Sequence, residues 1–258
     1  MQNNTFSRLS LRQNLIVLEQ TPSTNDYLKE YLSNTTPRAE GTAIMANHQT
    51  QGKGQRGTTW LSAPGENLTI SFVLYPKQLN PLSAFNLNML VSLGIHAWAS
   101  QLVNNVKIKW PNDIYVNNKK VGGVLIENQL NRGTIKSSII GIGINLNQAE
   151  FPPELRDKAT SLRQESELVY NIEETGLDLL ESILTVYASI NVEDGDLLLN
   201  KYNELLFQKD KEAIYEIQGE EYTGIIQGVD TQGRLQVLIA GNIQSFDLKE
   251  IKFVSPLL

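Results

Sequence analysis

Four short stretches of the chain carry residue types able to manage a charged substrate. Gly52-Lys53-Gly54-Gln55-Arg56-Gly57 joins three glycines to two cationic side chains, and its unobstructed backbone N–H groups could wrap a carboxylate or a phosphate. It fits G-x-G-x-x-G literally, yet Thr58-Thr59-Trp60-Leu61-Ser62-Ala63-Pro64-Gly65 is a poor helix start, so the context denies a dinucleotide fold. Taken alone, the hexapeptide reads equally well as a solvated turn. Lys109-Trp110-Pro111-Asn112-Asp113 places a proline inside an extended segment and predicts an irregular strand that aims several side chains together. Lys109 would supply positive charge there, and Asn112 and Asp113 could orient a nucleotide or a hydrated magnesium ion. Alone, the segment also reads as an edge strand with turn formers.

Lys119-Lys120-Val121-Gly122-Gly123-Val124-Leu125-Ile126-Glu127 sets a lysine at the mouth of a strand whose glycines clear space for a ligand against the backbone. A lysine near both a carboxylate and the α-phosphate of ATP would reduce their repulsion and stabilise charge on the transferring phosphoryl group. One of the two lysines is then a solvated turn residue. Gly141-Ile142-Gly143-Ile144-Asn145-Leu146-Asn147 ends an apolar strand in asparagines, and Asn145 could offer an amide oxygen to a metal or a phosphate-bound water. By itself that stretch reads first as a packed core strand.

The elements that would position these residues follow from periodicity. Leu15 to Leu18 is a short apolar run, and the polar residues from Thr21 to Asn25 can cap a helix beginning near Asp26. Thr42 to Asn47 and Leu68 to Tyr75 read as strands, and Ser83 to Val103 as an amphipathic helix. Val106 to Lys109, Ile114 to Val116, Val121 to Glu127 and Ile139 to Leu146 read as successive strands, with Asn117 to Lys120 supplying a tight turn. The result is an α+β fold with a mostly antiparallel central sheet flanked by helices. Two helical patterns follow, Ile172 to Ile190 and Asp194 to Phe207, before a shift near Gln208 to short strands broken by Asp230-Thr231-Gln232-Gly233 and Gly241-Asn242. The expected division is therefore 1–208, a large unit, and 209–258, a small β-barrel leaning on it.

Composition removes several classes of function. The 258 residues contain no cysteine, which excludes disulfides, thiolate metal sites and cysteine nucleophiles. His48 and His96 make no metal site, and no G-x-S-x-G elbow is present. Trp98 and Trp110 read as core aromatics, whereas Trp60 could cover a purine. A net charge of -6 argues against a dedicated nucleic-acid binder, so any anionic ligand must be held by local chemistry. The N-terminus lacks a signal-peptide core, and Met89 to Ala99 is too short to span a bilayer; the expectation is a cytoplasmic protein with no membrane partner.

In order and spacing, Ser23-Thr24-Asn25, Gln49 to Gly57 with Trp60, Lys109 to Asp113, Lys120-Val121-Gly122-Gly123 and Gly141 to Asn145 resemble the biotin protein ligase family. The resemblance covers almost the whole chain. It implies an SH2-like catalytic domain of the class II synthetase type and a C-terminal SH3-like barrel. It further implies biotin as substrate, ATP with Mg²⁺, and two steps: formation of biotinyl-5′-AMP, then transfer of biotin to a lysine of the biotin carboxyl carrier protein domain of a carboxylase such as acetyl-CoA carboxylase. On this pattern Ser23, Thr24 and Asn25 would hydrogen-bond the ureido head of biotin, with Gln49 and the backbone around Lys53 assisting, and Gly52, Gly54, Gln55 and Gly123 would also belong to the biotin site. Lys120 would hold the biotin carboxylate and act catalytically. Arg56, Trp60, Lys109, Asn112, Asp113 and Asn145 would face ATP, with Asp113 and Asn145 as candidates near the metal and no direct protein ligand assigned. The family loop usually reads Gly-Arg-Gly-Arg; here Gln55 is neutral, and Arg56 is expected to supply the missing charge catalytically. About 14 residues precede the first expected strand, so a form without an N-terminal helix-turn-helix and without specific DNA binding is expected, with homodimerisation through sheet edges open. Lipoate protein ligase and a non-catalytic biotin or nucleotide sensor are the alternative readings.

Overall fold

The protein is described by a computed structural model over residues 6–34, 38–76, 79–191 and 194–256, excluding the side chains of Arg56, Ser255 and Pro256. Seven strands form the central sheet: β1 (Leu15–Thr21), β2 (Ala43–Gln49), β3 (Leu68–Leu74), β4 (Val106–Lys109), β5 (Asp113–Val116), β6 (Lys119–Asn131) and β7 (Thr134–Ile144). Their order is β1-β2-β3-β7-β6-β5-β4. Only β1 and β2 run parallel; every other neighbouring pair is antiparallel, as the α+β reading expects.

Period-two alternation gives the sheet two apolar faces. Ile44, Val73 and Ile139 point to one, where they pack with Leu28 of α2 (Thr24–Ser33). Met45, Ile70, Phe72, Leu74, Ile140, Ile142 and Ile144 belong to the opposite face, in the main core. Above that core lie α3 (Ala84–Ala99), α5 (Ile172–Ser189) and α6 (Gly195–Glu204). Each fully buried aliphatic side chain of this kind contributes roughly 1.5–3 kcal/mol relative to exposure.

The structure departs from the sequence pattern in several places. Helix α2 starts at Thr24 rather than near Asp26, because the Ser23 hydroxyl accepts the Asp26 N–H and makes Ser23 the N-cap. Helix α3 is shorter than expected and buried along nearly its whole middle, Asn86 to Ile95, rather than amphipathic. Its polar residues are satisfied internally: Asn88 Nδ2 donates to the Pro111 carbonyl at 3.1 Å, and Ser182 of α5 donates to the Gly94 carbonyl at 2.9 Å. Gly94 is needed there, since a Cβ would lie 2.6 Å from the Ile183 Cα. Strands β6 and β7 extend well beyond their expected ends into a hairpin closed at Arg132 and Gly133, both with positive φ.

Two short helices were invisible to periodicity: α1 (Arg8–Gln13) and α4 (Leu162–Ser166). Helix α1 is tied to α5 by ion pairs of Arg8 with Glu174 and Asp178 and of Arg12 with Glu173 and Glu174. These pairs hold the Glu174 carboxyl below the usual range through its hydrogen bonds to Arg8 and Arg12.

The last five strands, β8 (Glu212–Ile217), β9 (Glu220–Val229), β10 (Leu235–Ile239), β11 (Asn242–Phe246) and β12 (Ile251–Pro256), make a second antiparallel sheet in the order β11-β10-β9-β8-β12. Its apolar side joins the main core without a break. Trp110 Nε1 donates to the Gly233 carbonyl at 2.8 Å, and the Phe85 ring lies against Gly233, which has φ +85. Asn203 of α6 exchanges hydrogen bonds with the Val229 backbone at 3.2 and 2.8 Å.

Candidate active site

On the α2 face the apolar side chains give way to glycine, and a cavity of about 450 Å³ opens in their place. Gly123 and Gly143 are cross-strand partners, Gly141 follows at the next position on the same face, and all three line the cavity. A Cβ at Gly141 would overlap the Asn25 amide, and one at Gly143 the Trp60 indole, so these glycines admit the side chains that build the site. Gly122 points the other way, against Ile144 in the core.

The first wall is the N-terminus of α2. The Thr24 N–H and hydroxyl lie 2.7 and 3.0 Å from Gln49 Oε1. Ser71 Oγ lies 2.6 Å from Asn25 Oδ1, which can only accept, so the serine proton goes there. Asn25 Nδ2 donates to Glu127 Oε2 at 2.7 Å, and Lys29 holds the other Glu127 oxygen at 2.5 Å. Asn25, Thr24 and Gln49 are thus fixed in orientation before any ligand arrives, and Ser23 lines the cavity beside them.

The second wall is the glycine loop. It folds back on itself: Trp60 N donates to the Gly52 carbonyl at 2.9 Å, Gly54 N to the Thr58 carbonyl at 2.7 Å, and Gln55–Gly57 forms one 3₁₀ turn. With Thr58 N donating to the Gln55 carbonyl at 3.2 Å, three N–H groups of the segment are therefore spent internally rather than left free to wrap an anion. Gly52 does not line the cavity; a Cβ there would meet the Trp60 carbonyl, so its part is to let the loop close. Lys53, Gly54, Gln55 and Trp60 do line it, together with Thr58 and Thr59, which the sequence did not single out. Lys53 Nζ pairs with Asp26 Oδ2 at 2.6 Å. The side chain of Arg56 lies outside the described residues. Among the described residues Trp60 Nε1 is buried with no hydrogen-bond partner, a state that costs about 1–3 kcal/mol and marks a donor awaiting an acceptor.

Lys120 enters through a β-bulge. Ile114 pairs with Gly122 but Tyr115 pairs with Lys120, so Val121 is the extra residue on β6. The bulge turns Lys120 to the face of Asp113 and Gly123, the re-aiming for which bulges are used beside sites. Its ammonium lies 2.6 Å from Asp113 Oδ1 and 5.7 Å from the centre of the Trp60 ring. Lys119 instead reaches the Arg156 carbonyl at 3.2 Å and is the solvated member of the pair.

The Lys109–Asp113 segment is a hairpin turn and not an irregular strand: Lys109 pairs with Asp113, and Trp110-Pro111-Asn112 connects β4 to β5, with Trp110–Pro111 cis. Proline cannot donate to a ladder, so the strand has to end before it. Tyr202 and Asn88 both donate to the Pro111 carbonyl, at 2.8 and 3.1 Å, and Asn112 Nδ2 donates to the Val124 carbonyl; Asn112 and Asp113 line the cavity. Lys109 does not line it. Its ammonium bonds the Tyr115 hydroxyl at 3.0 Å and lies 4.8 and 4.6 Å from the Tyr115 and Phe253 rings, and burial lowers its pKa. Asn145 also lies outside the lining: its Nδ2 donates to the Thr160 carbonyl at 3.0 Å, just past the end of β7.

Leu125, Leu248 and Lys249 complete the lining beyond what the sequence marked. Leu125 was within reach of alternation from Gly123; the two C-terminal residues carried no local signal. Among the described residues no cluster of His, Cys, Asp or Glu could hold a metal by itself. Asp113, a carboxylate in the cavity, fits a Mg²⁺ that arrives with phosphates and keeps most of its waters.

The chain resembles known proteins in sequence and in fold. The sequence profile of the biotin/lipoate A/B protein ligase family matches residues 17–145, half of the chain. The bifunctional ligase/repressor BirA of Bacillus spizizenii is 40% identical over 159 residues, 60% of this chain and 47% of its own. The chain thus spans about half the length of that relative. The biotin–[acetyl-CoA-carboxylase] ligase of Paracoccus denitrificans is 29% identical over 228 residues, 85% of this chain and 92% of its own. The biotin protein ligase of Aquifex aeolicus in complex with biotin and ATP superposes with a TM-score of 0.76 at 29% identity, covering 94% of this chain and all of that one (100%). With that profile lying over α2, the glycine loop, Lys120 and the glycine floor, the chain belongs to the biotin/lipoate A/B protein ligase family.

Proposed function

We propose that the protein is an ATP-dependent biotin–[biotin carboxyl carrier protein] ligase, which makes biotinyl-5′-AMP and transfers biotin to a carrier lysine. The observation that carries this reading is a single cavity in which a pre-oriented amide and hydroxyl wall faces Lys120 across a floor of glycine. The names of the Paracoccus relative and of the Aquifex complex with biotin and ATP support it. Thr24, Asn25, Ser23 and Gln49 hold a small amide-bearing head group; the glycine floor takes its apolar body; Lys120 meets the carboxylate at the far end. Lys53, Gly54 and Gln55 close over it as the loop wall.

One biotin carboxylate oxygen attacks the α-phosphorus of ATP, pyrophosphate leaves, and Lys120 offsets the charge shared by the two anions. Asp113, its present partner, would help to hold a hydrated Mg²⁺, which would supply charge neutralisation to the phosphates. The buried Trp60 N–H then gains an acceptor, and the loop shields the mixed anhydride from water. In the second step a carrier lysine attacks the acyl carbon and AMP departs. Arg56 is assigned to the phosphates, in place of the arginine missing at position 55. Lys109 and Asn145 act at one remove, by fixing the β4–β5 turn and the end of β7. The catalytic unit is assigned to 1–208 and the small β unit to 209–258, with the cytoplasm as the place of action.

Labelled biotin, ATP, Mg²⁺ and a biotin carrier domain test the reading. The parent chain is expected to label the carrier, and Lys120→Ala to lower adenylate formation by a hundredfold or more, on the order of the loss from removing one preorganised charge-stabilising group. A parent that labels neither carrier nor adenylate sinks it, and one that labels a lipoyl domain with lipoate moves it within the family.

A further inference from the structure

Among the described residues three lysines line the cavity: Lys53, Lys120 and Lys249. The first two are cancelled in place, Lys53 by Asp26 and Lys120 by Asp113, each at 2.6 Å. Lys249 has no carboxylate partner among the described residues. It sits between β11 and β12, in a turn that is locked by its own ends: Asp247 N donates to Glu250 Oε2 at 2.7 Å and Glu250 N to the Asp247 carbonyl at 3.1 Å. The neighbouring carboxylate of Glu250 is thereby used within the turn. Lys249 itself holds φ +81, a conformation in which a non-glycine residue is uncommon and which the turn maintains at a cost of about 1–3 kcal/mol.

The amide wall of α2 stands over β3 and β7, Lys120 is on β6, Asp113 is on β5, and the C-terminal sheet adjoins β4 and β5 through Trp110, Lys109 and Phe253. Taken by element, the amide wall of α2 comes first, Lys120 on β6 next, and the C-terminal sheet whose turn carries Lys249 last. A biotin laid with its head on the first and its carboxylate on the second puts the α-phosphate at Lys120 and the β- and γ-phosphates beyond it.

We infer that Lys249 is a nucleotide-binding residue that contacts the β,γ-phosphates of ATP, and hence the departing pyrophosphate. The inference rests on the ligase reading for the order of substrates and adds a residue from outside the matched family segment. It makes the C-terminal sheet part of the polyphosphate end of the site. Because the other two described cations are already paired, Lys249 supplies the uncompensated positive charge that a polyanion meets on entry.

Calorimetric titration of the full chain decides it, with Mg²⁺ and an ATP analogue whose α,β-bridge is methylene, and separately with AMP and with biotin. Lys249→Ala is expected to weaken the triphosphate analogue about five- to tenfold, the size of one partly solvated charge-assisted contact. AMP and biotin affinities should stay within twofold of the parent, and Lys249→Arg should restore most of the loss. Analogue affinity within twofold of the parent overturns the inference, as does an equal loss for AMP, or a parent that does not bind the analogue. The two proposals fail separately. A parent that binds the analogue through Lys249 but makes no adenylate sinks the ligase reading alone; one that labels the carrier while Lys249→Ala binds the analogue normally sinks this one alone.

Discussion

The face of Gly143 decides where Trp60 lies. The indole rests on the bare backbone of β7, with its N–H turned into a buried position that has no acceptor among the described residues. Valine is favoured in strands, so Gly143→Val is expected to fold while its side chain displaces the indole. Adenylate formation should then fall at least tenfold, with a changed tryptophan emission spectrum; a variant with parental emission and activity would show that the ring does not depend on the glycine. At this scale the sequence marked many of the residues that line the cavity and was a poor guide to the direction in which side chains point. Lys120 stood out because glycines follow it, and the wall residues Ser23 to Asn25 stood out as a cap. Lys109 is the same residue type in an equally marked motif, yet two aromatic rings claim its ammonium. Nothing local to residue 109 could reveal Phe253.

Strand and helix types were legible wherever the apolar period was clean, as in β2, β3, β7 and α5. What escaped was whatever depends on a partner. Helix α3 looked amphipathic because its asparagines and serine are polar, but they bond inside the fold. The bulge at Val121 depends on how β5 pairs with β6, which no single strand encodes, and it alone puts Lys120 on the cavity side. The end of α3 also carries a pH effect. His96 Nε2 lies 3.2 Å from the Val106 carbonyl, and its pKa is lowered chiefly by burial, with nearby Lys107 adding to it. The folded state therefore favours the neutral ring. Above the unfolded histidine value of about 6.5 there is no penalty; as the pH falls through it, the unfolded chain takes the proton first and stability is lost until the folded pKa is passed. The urea midpoint of the parent should drop more between about pH 7.5 and pH 5.5 than that of His96→Gln. Equal drops would assign the acid sensitivity to carboxylates.

At the scale of the molecule, the composition shift near Gln208 located the change from helices to short strands, and Glu212 begins the second sheet. The sequence could not show that the two sheets share one core, because the contacts join residues more than a hundred positions apart, such as Trp110 with Gly233. Two turns of the C-terminal sheet look alike on paper, each polar and each with a glycine at positive φ, yet they differ in surroundings. Gly233 is pressed against Phe85, whereas around Gly241 no described residue beyond its chain neighbours approaches within 4 Å of a would-be Cβ. Exposed polar turns ordinarily accept foreign sequence. A short epitope spliced between Gly241 and Asn242 should leave the melting temperature within a few degrees of the parent, as should happen at an open turn. The same epitope spliced between Gln232 and Gly233 should lower it sharply, because it lifts the acceptor off the Trp110 indole and, with it, the turn that carries Asn112 and Asp113. For anyone wishing to attach a reporter to this protein, only one of its two inviting handles is free to hold.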